Sequence, residues 1–226
     1  SAGEFDWPAV FAGADWFHLT GITPALSPEL ADICLSACRT AKEKGLTVSF
    51  DPNYRAKLWS LSDAAAYMRR ILPYVDVLIT NENQAADLMD IRIPQTEING
   101  DDVTDRGYLF LAHELQKNHG LRYVAIAERR TFSAEDNSFC AKLYDGEAPC
   151  TSVKYRMDTV DRIGGGDAFA AGLIYALREG FSTQEAVSFA AAASCLKHSV
   201  EGDSSPLSAR EVLSLANGSA NGRVQR

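Results

Sequence analysis

The chain alternates short β-rich runs with stretches whose apolar residues recur at helical spacing. The clearest helical stretch covers residues 27–45, where Ser27 can cap the first turn, Pro28 suits that turn and Gly45 suits the end. Its apolar positions recur every three or four residues: Leu30, Ile33, Cys34, Ala37, Cys38 and Ala41. This pattern predicts an amphipathic helix with one face on a core.

Four β-rich runs lie in the first 130 residues. They are predicted as strands at 16–21, 47–53, 75–81 and 123–128. Helices are also predicted around 62–72 and 105–119. Strand–helix–strand alternation is typical of a mostly parallel sheet with helices on both faces, so an α/β fold is predicted.

The second half of the chain follows a different pattern. Residues 137–157 read as a hairpin that turns at Asp145-Gly146, and helices dominate after it. Two capping boxes predict the starts of the last helices: Ser182 with Glu185 and Ser208 with Glu211. No repeat or linker separates the two halves, so residues 1–226 are predicted to form one domain.

Composition limits the partners and the compartment. A net charge of −8 disfavours a nucleic-acid partner, because a phosphate backbone needs a basic surface. No apolar run approaches the ~20 residues that a membrane helix needs. The five cysteines lack a C-x-x-C pair. Cys34 and Cys38 could form half a metal site, but small buried thiols in a reducing compartment are the simpler interpretation, and a cytoplasmic location is expected.

Candidate chemistry concentrates in "VDRIGGGDAFAAGL", residues 160–173. Gly164, Gly165 and Gly166 precede an apolar helix, whose first N–H groups and positive dipole end suit an anion such as phosphate. Asp167 would repel a resting phosphate, so a role as a base that accepts a hydroxyl proton fits better. The alternative is a plain strand-to-helix turn in which Asp167 only favours the helix start. Neither a Walker A loop nor G-x-G-x-x-G is present.

Three segments together resemble the ribokinase-like (PfkB) family of carbohydrate kinases. "DRIGGGDAF" is similar to its D-x-x-G-x-G-D-x-F signature, and "FDPNYRAKLW" (50–59) to the D-x-N-x-R-x-x-L-W segment of ketodeoxygluconate kinases and fructokinases. "CLKHSVEGD" (195–203) resembles the late segment of the ketodeoxygluconate branch. The resemblance implies a ribokinase-like Rossmann-type sandwich without its lid, and an ATP- and Mg²⁺-dependent kinase.

The resemblance also implies roles at the glycine stretch. Asp167 would be the catalytic base, and Gly164, Gly165 and Gly166 would form the anion hole for the phosphoryl group in transit. Asp161 opens the signature and, by the same resemblance, is expected to help bind a metal, namely a monovalent cation such as K⁺.

Substrate contacts are expected after the second predicted strand. Arg55 can hold a carboxylate or phosphate with its planar guanidinium, and Asp51 and Asn53 are expected to support it. The carboxyl ends of strands are where open α/β sheets bind ligands. An exposed arginine without a ligand is the alternative for Arg55. His18 is expected to be a buried, hydrogen-bonded histidine, and Trp59 a packing residue.

Nucleotide contacts are expected from three places. Asn81 and Glu82 match a family segment associated with magnesium and phosphate, although Gln84 stands where the family has Glu. Arg129 could contact a phosphate or be an exposed loop charge. Ala193 and Lys197 are expected near the adenine, where Lys197 could instead complement the helix dipole.

Family members carry an N-terminal part that this sequence does not include. That part is expected to complete the sugar site, so the 226-residue chain alone is expected to bind ATP better than it turns over sugar. A separate N-terminal segment or a second copy of the chain is therefore the protein partner to expect, and an exposed sheet edge would favour such association.

The function expected from the resemblance is phosphorylation of the terminal hydroxyl of a sugar or sugar acid, with 2-keto-3-deoxygluconate as the leading substrate. A fructokinase or another PfkB sugar kinase is the alternative in the same class. A nucleotide-binding protein that has lost catalysis is the alternative from another class. A dinucleotide-dependent oxidoreductase is disfavoured because its glycine fingerprint is absent.

Overall fold

A computed structural model describes residues 2–100, 102–131 and 136–218 of the chain. These residues form two compact units. The first runs to Ile126 and includes Tyr144–Ala148. The second comprises Ala127–Leu143 and the chain from Pro149 onward.

The first unit is built around a parallel sheet in the order β1-β2-β3-β6. Registers such as Leu19 with Phe50 and Ile79 with Ala125 align the strands. Its strands are β1 (Trp16–Thr20), β2 (Thr47–Asp51), β3 (Val77–Thr80), the short antiparallel pair β4 (Ile98–Asn99) and β5 (Asp102–Val103), and β6 (Tyr123–Thr131), which ends in the second unit. Its helices are α1 (Trp7–Val10), α2 (Ile22–Ala25), α3 (Pro28–Glu43), α4 (Leu61–Ile71), α5 (Glu82–Met89) and α6 (Asp105–His119).

Local sequence explains where these helices begin. The side chains of Ser27, Ser60, Asn81 and Thr104 each accept a hydrogen bond from a backbone N–H in the first turn of α3, α4, α5 and α6. Apolar faces of α3, α4 and α6 then pack on the buried strands, as Cys38, Met68 and Leu111, all fully buried, illustrate. This packing fixes the carboxyl ends of β1, β2 and β3 along one edge of the sheet.

The second unit contains antiparallel strands and the last three helices. β7 (Asp136–Tyr144) pairs with β8 (Cys150–Thr151) and with β9 (Tyr155–Asp158), followed by α7 (Gly165–Arg178), α8 (Thr183–Lys197) and α9 (Ala209–Ala216). α7 packs closely on α8: a Cβ added at Gly172 would lie only 3.0 Å from Cβ of Ala193. Both predicted capping boxes are present, at Ser182 and at Ser208.

The α/β class and the mostly parallel sheet agree with the prediction, while some strand boundaries differ. The third strand begins at Val77, because residues Leu72–Tyr74 form a 3₁₀ turn that includes Pro73. β6 continues to Thr131, beyond the predicted end at 128. The predicted turn is found at Asp145-Gly146, where Gly146 has a φ of 101°. Among the helices that the structure describes, none is long and apolar enough to cross a membrane.

Candidate functional site

At the ends of β1 and β2, Asn53 connects the two strands. Its backbone N–H donates to Oδ1 of Asp51 at 2.9 Å, and its Nδ2 donates to Oγ1 of Thr20 at 3.1 Å. Asn53 has a φ of 40°, a left-handed conformation that asparagine tolerates better than most residues. The expected pair Asp51 and Asn53 is therefore held together in a fixed turn.

Gly21, which the sequence analysis did not single out, shapes the same turn. Its N–H donates to the carbonyl of Asp51 at 2.7 Å, and a Cβ at this position would lie 2.0 Å from the carbonyl oxygen of Pro52. Only glycine permits this approach of the two chains. The tripeptide after "WFHLT" gave no motif signal, so only the three-dimensional packing identifies Gly21.

Arg55 is exposed at the end of this turn, as expected for a ligand-gripping side chain or for a surface arginine. Its Nη1 donates to the carbonyl of Tyr54 at 3.1 Å and lies 3.5 Å from that of Asn53. These are contacts to its own segment, so the guanidinium can turn toward an anion at little cost.

His18 differs from the expectation. The side chain was expected to be buried, but His18 is exposed on β1, where Nδ1 lies 2.8 Å from Oγ of Ser49. β1 has β2 as its partner on one side, and the alternation of side chains along the strand turns His18 away from the core.

Asn81 and Gln84 organise the end of β3. Oδ1 of Asn81 accepts the N–H of Gln84 at 2.9 Å and so caps α5, while Oγ1 of Thr80 donates to Oε1 of Gln84 at 3.3 Å. Glu82 lies in the first turn of α5 and is half-buried. Gln84, which departs from the family pattern, thus has a structural hydrogen bond that a carboxylate could also accept.

The described residues contain no group of three or more His, Cys, Asp or Glu side chains that could hold a metal ion. Side chains of these four types therefore form no metal site on their own in the described part of the chain. Magnesium in phosphoryl transfer typically takes one or two carboxylates together with water and the substrate phosphates. The carboxylate of Glu82 fits such a sparse donor set.

A cleft of about 510 Å³ in the first unit begins just beyond the Arg55 turn, at Leu58 and Trp59. Trp59 and Tyr67, whose rings are 5.6 Å apart, form part of its wall together with Leu58 and Pro24. None of the predicted site residues lines it. Its mainly apolar wall offers little for phosphate chemistry, so the cleft is not the candidate site.

In the second unit, the glycine stretch forms an open helix start. Gly164 is the N-cap of α7 with a φ of 78° and supplies no capping side chain. The first N–H groups of a helix have no intrahelical acceptor, so they face outward from Gly165, Gly166 and Asp167. Gly166 and Asp167 are exposed, and Asp167 lies in the first turn. The carboxylate and the anion-attracting N–H groups are thus adjacent on one exposed helix end.

His198 packs directly behind this helix start. A Cβ at Gly165 would lie 2.2 Å from Cε1 of His198, so the ring requires glycine there. Nδ1 of His198 donates to the carbonyl of Ser194 at 2.6 Å, and Nε2 is buried without a partner among the described residues. Burial is the main cause that lowers the pKa of His198 below its ordinary 6.5. The sequence analysis did not single out His198 and missed this contact.

Asp161 and Lys197 hold the neighbouring loop. Asp161 accepts the N–H groups of Ile163 at 3.0 Å and Gly202 at 2.9 Å, and these hydrogen bonds lower the pKa of its carboxyl. Lys197, expected near the adenine, is fully buried, and its Nζ donates to the carbonyls of Val200 and Gly202. The direction of its side chain, into the loop, could not be read from the sequence.

The remaining predicted nucleotide residues, Arg129 and Ala193, lie on β6 and α8. Arg129 is exposed on β6, and burial of part of its side chain together with the charge of Arg162 lowers its pKa, although a guanidinium stays protonated at any physiological pH. Nη2 of Arg162 donates to Oδ1 of Asn137 at 3.2 Å. Ala193 is buried against α7 at Gly172. Arg162 is thus a further cation whose charge acts on Arg129, and the sequence analysis missed it.

The chain matches the family model described as pfkB family carbohydrate kinase over residues 2–210. A 2-dehydro-3-deoxygalactonokinase of Haloferax volcanii is 35% identical over 87% of this chain and 55% of its own length. A 2-dehydro-3-deoxygluconokinase of Bacillus subtilis is 32% identical over 90% of this chain and 56% of its own length. The chain thus spans about half the length of these curated relatives.

A solved structure has the same fold. The 2-dehydro-3-deoxygluconokinase of Thermotoga maritima is 39% identical, with a TM-score of 0.89 over 96% of this chain and 65% of that protein. The match of the family model covers nearly the whole sequence, and the glycine signature lies within it at the open start of α7. The chain belongs to the pfkB family of carbohydrate kinases.

Proposed function

We propose that the protein transfers a phosphoryl group from ATP to the terminal hydroxyl of 2-dehydro-3-deoxygluconate, another name for 2-keto-3-deoxygluconate. The observation that carries the proposal is the exposed carboxylate of Asp167 beside the unpaired N–H groups of a glycine-rich helix start. Relatives and a solved structure that act on such sugar acids support it.

The proposed chemistry uses each group once. Asp167 takes the proton of the sugar hydroxyl, and the resulting oxygen attacks the γ-phosphorus of ATP. The bond from that phosphorus to the bridging oxygen of ADP breaks, and ADP leaves with its electron pair. The N–H groups of Gly165 and Gly166 neutralise the charge of the phosphoryl group in transit.

Assigned roles for the first unit follow from their donors. Arg55 is proposed to bind the substrate carboxylate, with Asp51 and Asn53 holding the turn that carries it. Asn81 and Glu82 are proposed to lie at the phosphates, where Mg²⁺ would shield their charge when bound with ATP. Arg129, Ala193 and Lys197 remain predictions for nucleotide contact. A cytoplasmic location likewise remains a prediction.

A second candidate substrate is the C4 epimer, 2-dehydro-3-deoxygalactonate. The relative that carries this name is 35% identical, slightly more than the curated gluconate kinase at 32%. Fructose is the alternative without a carboxylate. A nucleotide-binding protein that has lost catalysis is the alternative from another class, and its support is Gln84 in place of Glu.

The test is ADP release by the product of the complete reading frame that encodes this chain. The enzyme is offered the two sugar acids, fructose and ribose side by side, each with Mg-ATP. We expect kcat/KM for 2-dehydro-3-deoxygluconate to exceed that for fructose at least 100-fold, since an arginine–carboxylate pair contributes to binding. Equal kcat/KM values for fructose would contradict the proposal that the substrate is a sugar acid. If none of the four substrates leads to ADP release, the proposal that the protein is a sugar kinase is wrong.

A matched variant assigns the carboxylate. Arg55→Gln is expected to raise KM for the sugar acid while leaving KM for fructose little changed. Arg92, exposed in the same unit by its position between α5 and β4, provides the control Arg92→Gln, which should change neither value. An equal loss for both sugars in Arg55→Gln would show that Arg55 does not read the carboxylate.

A further inference from the structure

Lys197 carries a charge into the interior of the second unit. The residue is fully buried at the end of α8, and its Nζ donates to the carbonyl oxygens of Val200 at 3.0 Å and Gly202 at 2.8 Å. Among the described carboxylates, none lies within 4.0 Å of this Nζ as an ion-pair partner. A buried ammonium is costly unless its donors are satisfied, so the two carbonyls are its main compensation.

The same loop is held from its other side by Asp161. Gly202 gives its carbonyl to Lys197 and its N–H to Oδ2 of Asp161, so one peptide segment lies between an ammonium and a carboxylate. The N–H groups of Val160 and Asp161 also donate to the carbonyl of His198, at 2.8 and 3.2 Å. Hydrogen bonds therefore connect three segments: the end of α8, the loop after it and the segment before α7.

These connected segments contact the glycine-rich start of α7 directly. A Cβ added at Gly164 would lie 3.2 Å from Cε of Lys197 and 3.3 Å from the carbonyl oxygen of Asp203. The lysine stem thus packs against the N-cap of α7. Moving the stem or the loop would move the residue that sets where the first N–H groups point.

We infer that Lys197 is a built-in monovalent cation that positions the anion-binding start of α7, so that no bound K⁺ is needed at Asp161. An ammonium group and K⁺ carry the same charge and both suit a set of carbonyl oxygens. The ammonium of Lys197 already occupies the carbonyl oxygens that such an ion would use. Lys197 is a positioning residue, and its effect on turnover rests on the proposed kinase function.

If Lys197 only fills space, added cations should not restore the stability of a variant that lacks its ammonium group. Rescue by added cations therefore distinguishes a cation role from a packing role. Lys197→Ala removes the ammonium and leaves a space beside the two carbonyls and Asp161, which K⁺ or NH₄⁺ can enter. Lys197→Met removes the charge but fills the same space, so it should not be rescued. Lys154→Met loses the same charge from an exposed side chain elsewhere in the second unit and serves as the control.

The first readout is the thermal midpoint of the chain in KCl, NH₄Cl or tetramethylammonium chloride at equal ionic strength. In tetramethylammonium chloride we expect Lys197→Ala to melt about 5 to 10 °C below the wild type, because the buried lysine stem is lost and two carbonyls lose their donor. KCl or NH₄Cl should recover at least half of that loss. The wild type, Lys197→Met and Lys154→Met should each keep the same midpoint in all three salts.

Two results would overturn the inference. One is that KCl raises the thermal midpoint of the wild type as much as that of Lys197→Ala. The site would then bind K⁺ despite the presence of Lys197. The other is a folded Lys197→Ala that does not respond to K⁺ or NH₄⁺. If Lys197→Ala folds only with K⁺ or NH₄⁺ present, that is the expected rescue. If it folds in no salt, the wild-type comparison decides.

The second readout is turnover by the product of the complete reading frame. The wild type should have the same kcat in KCl and in tetramethylammonium chloride, while kcat of Lys197→Ala should rise at least 10-fold on adding KCl. A wild-type kcat that requires K⁺ would contradict the inference. Absence of any kinase activity together with the expected thermal rescue would reject the proposed function and leave the built-in cation standing.

Discussion

Gly165 is the residue of the glycine stretch whose identity the packing fixes most tightly. An added Cβ would lie 2.2 Å from Cε1 and 2.6 Å from Nε2 of His198. The ring cannot withdraw easily, because it is buried and its Nδ1 is bound to the carbonyl of Ser194. The third glycine, Gly166, has open space where a Cβ would stand.

We therefore expect Gly165→Ala to lower the thermal midpoint by about 2 to 10 °C, the range that overpacking of a buried site produces. Gly166→Ala is the matched control and should change the midpoint by less than about 2 °C. Thermal unfolding followed by circular dichroism measures both. Equal midpoints for the two variants would show that His198 does not constrain the start of α7.

At the level of single residues, the sequence indicated candidate residues but not the contacts that they make. The motif indicated Asp167 and the glycines, and the structure has them at an exposed helix start. It did not indicate the ring behind Gly165 or the direction of Lys197, because both depend on how α8 packs on α7. His18 was expected to be buried and is exposed, since its face of β1 is not covered by the described residues.

The last turn of α8 makes the stability of the second unit depend on pH. Burial lowers the pKa of His198, and the positive charges of Arg129, Lys197 and Arg162 act in the same direction against the hydrogen bond to Ser194. The folded histidine thus stays neutral at a pH where the unfolded one, with a pKa of 6.5, is protonated. Between the two pKa values the unfolded state binds more protons, so stability falls as the pH falls below 6.5.

We expect the thermal midpoint to fall between about pH 7 and pH 5.5, and this fall to be shallower in His198→Gln. His113→Gln, on an exposed side chain of α6, is the control and should keep the wild-type slope. Burial also lowers the pKa of His119, which accounts for slope that remains in His198→Gln. Identical slopes in wild type and His198→Gln would refute the role of His198.

Helices of this chain could be predicted more closely than its strands. α3 begins after Ser27 and both capping boxes form, because capping is decided by residues three apart in sequence. β3 and β6 have other boundaries than predicted, because partners distant in sequence decide where a strand ends. The glycine stretch combines both situations, since its motif is local while the cation and the ring behind it come from α8.

For the whole molecule, the net charge and the proposed substrates have the same sign. A chain with a net charge of −8 repels an anionic sugar and ATP at long range, so local cations must provide attraction. Exposed arginines are present in each unit, Arg55 in the first and Arg129 in the second. The family and the α/β fold could be predicted from three motifs, whereas the choice between epimeric sugar acids could not, because no motif reads one hydroxyl.

The central claim is that Asp167 is the base of a phosphoryl transfer, and Asp167→Asn tests it most directly. Glu179→Gln removes the same charge from an exposed position just after α7 and serves as the control. Both variants are made in the product of the complete reading frame, and kcat with saturating ATP and 2-dehydro-3-deoxygluconate is compared with the Kd for ATP.

We predict that Asp167→Asn lowers kcat about 100- to 10,000-fold, the contribution of a positioned general base, while the Kd for ATP changes less than about 3-fold. Glu179→Gln should leave both values at the wild-type level. Wild-type kcat in Asp167→Asn would contradict the account, because the carboxylate would then take no part in the transfer.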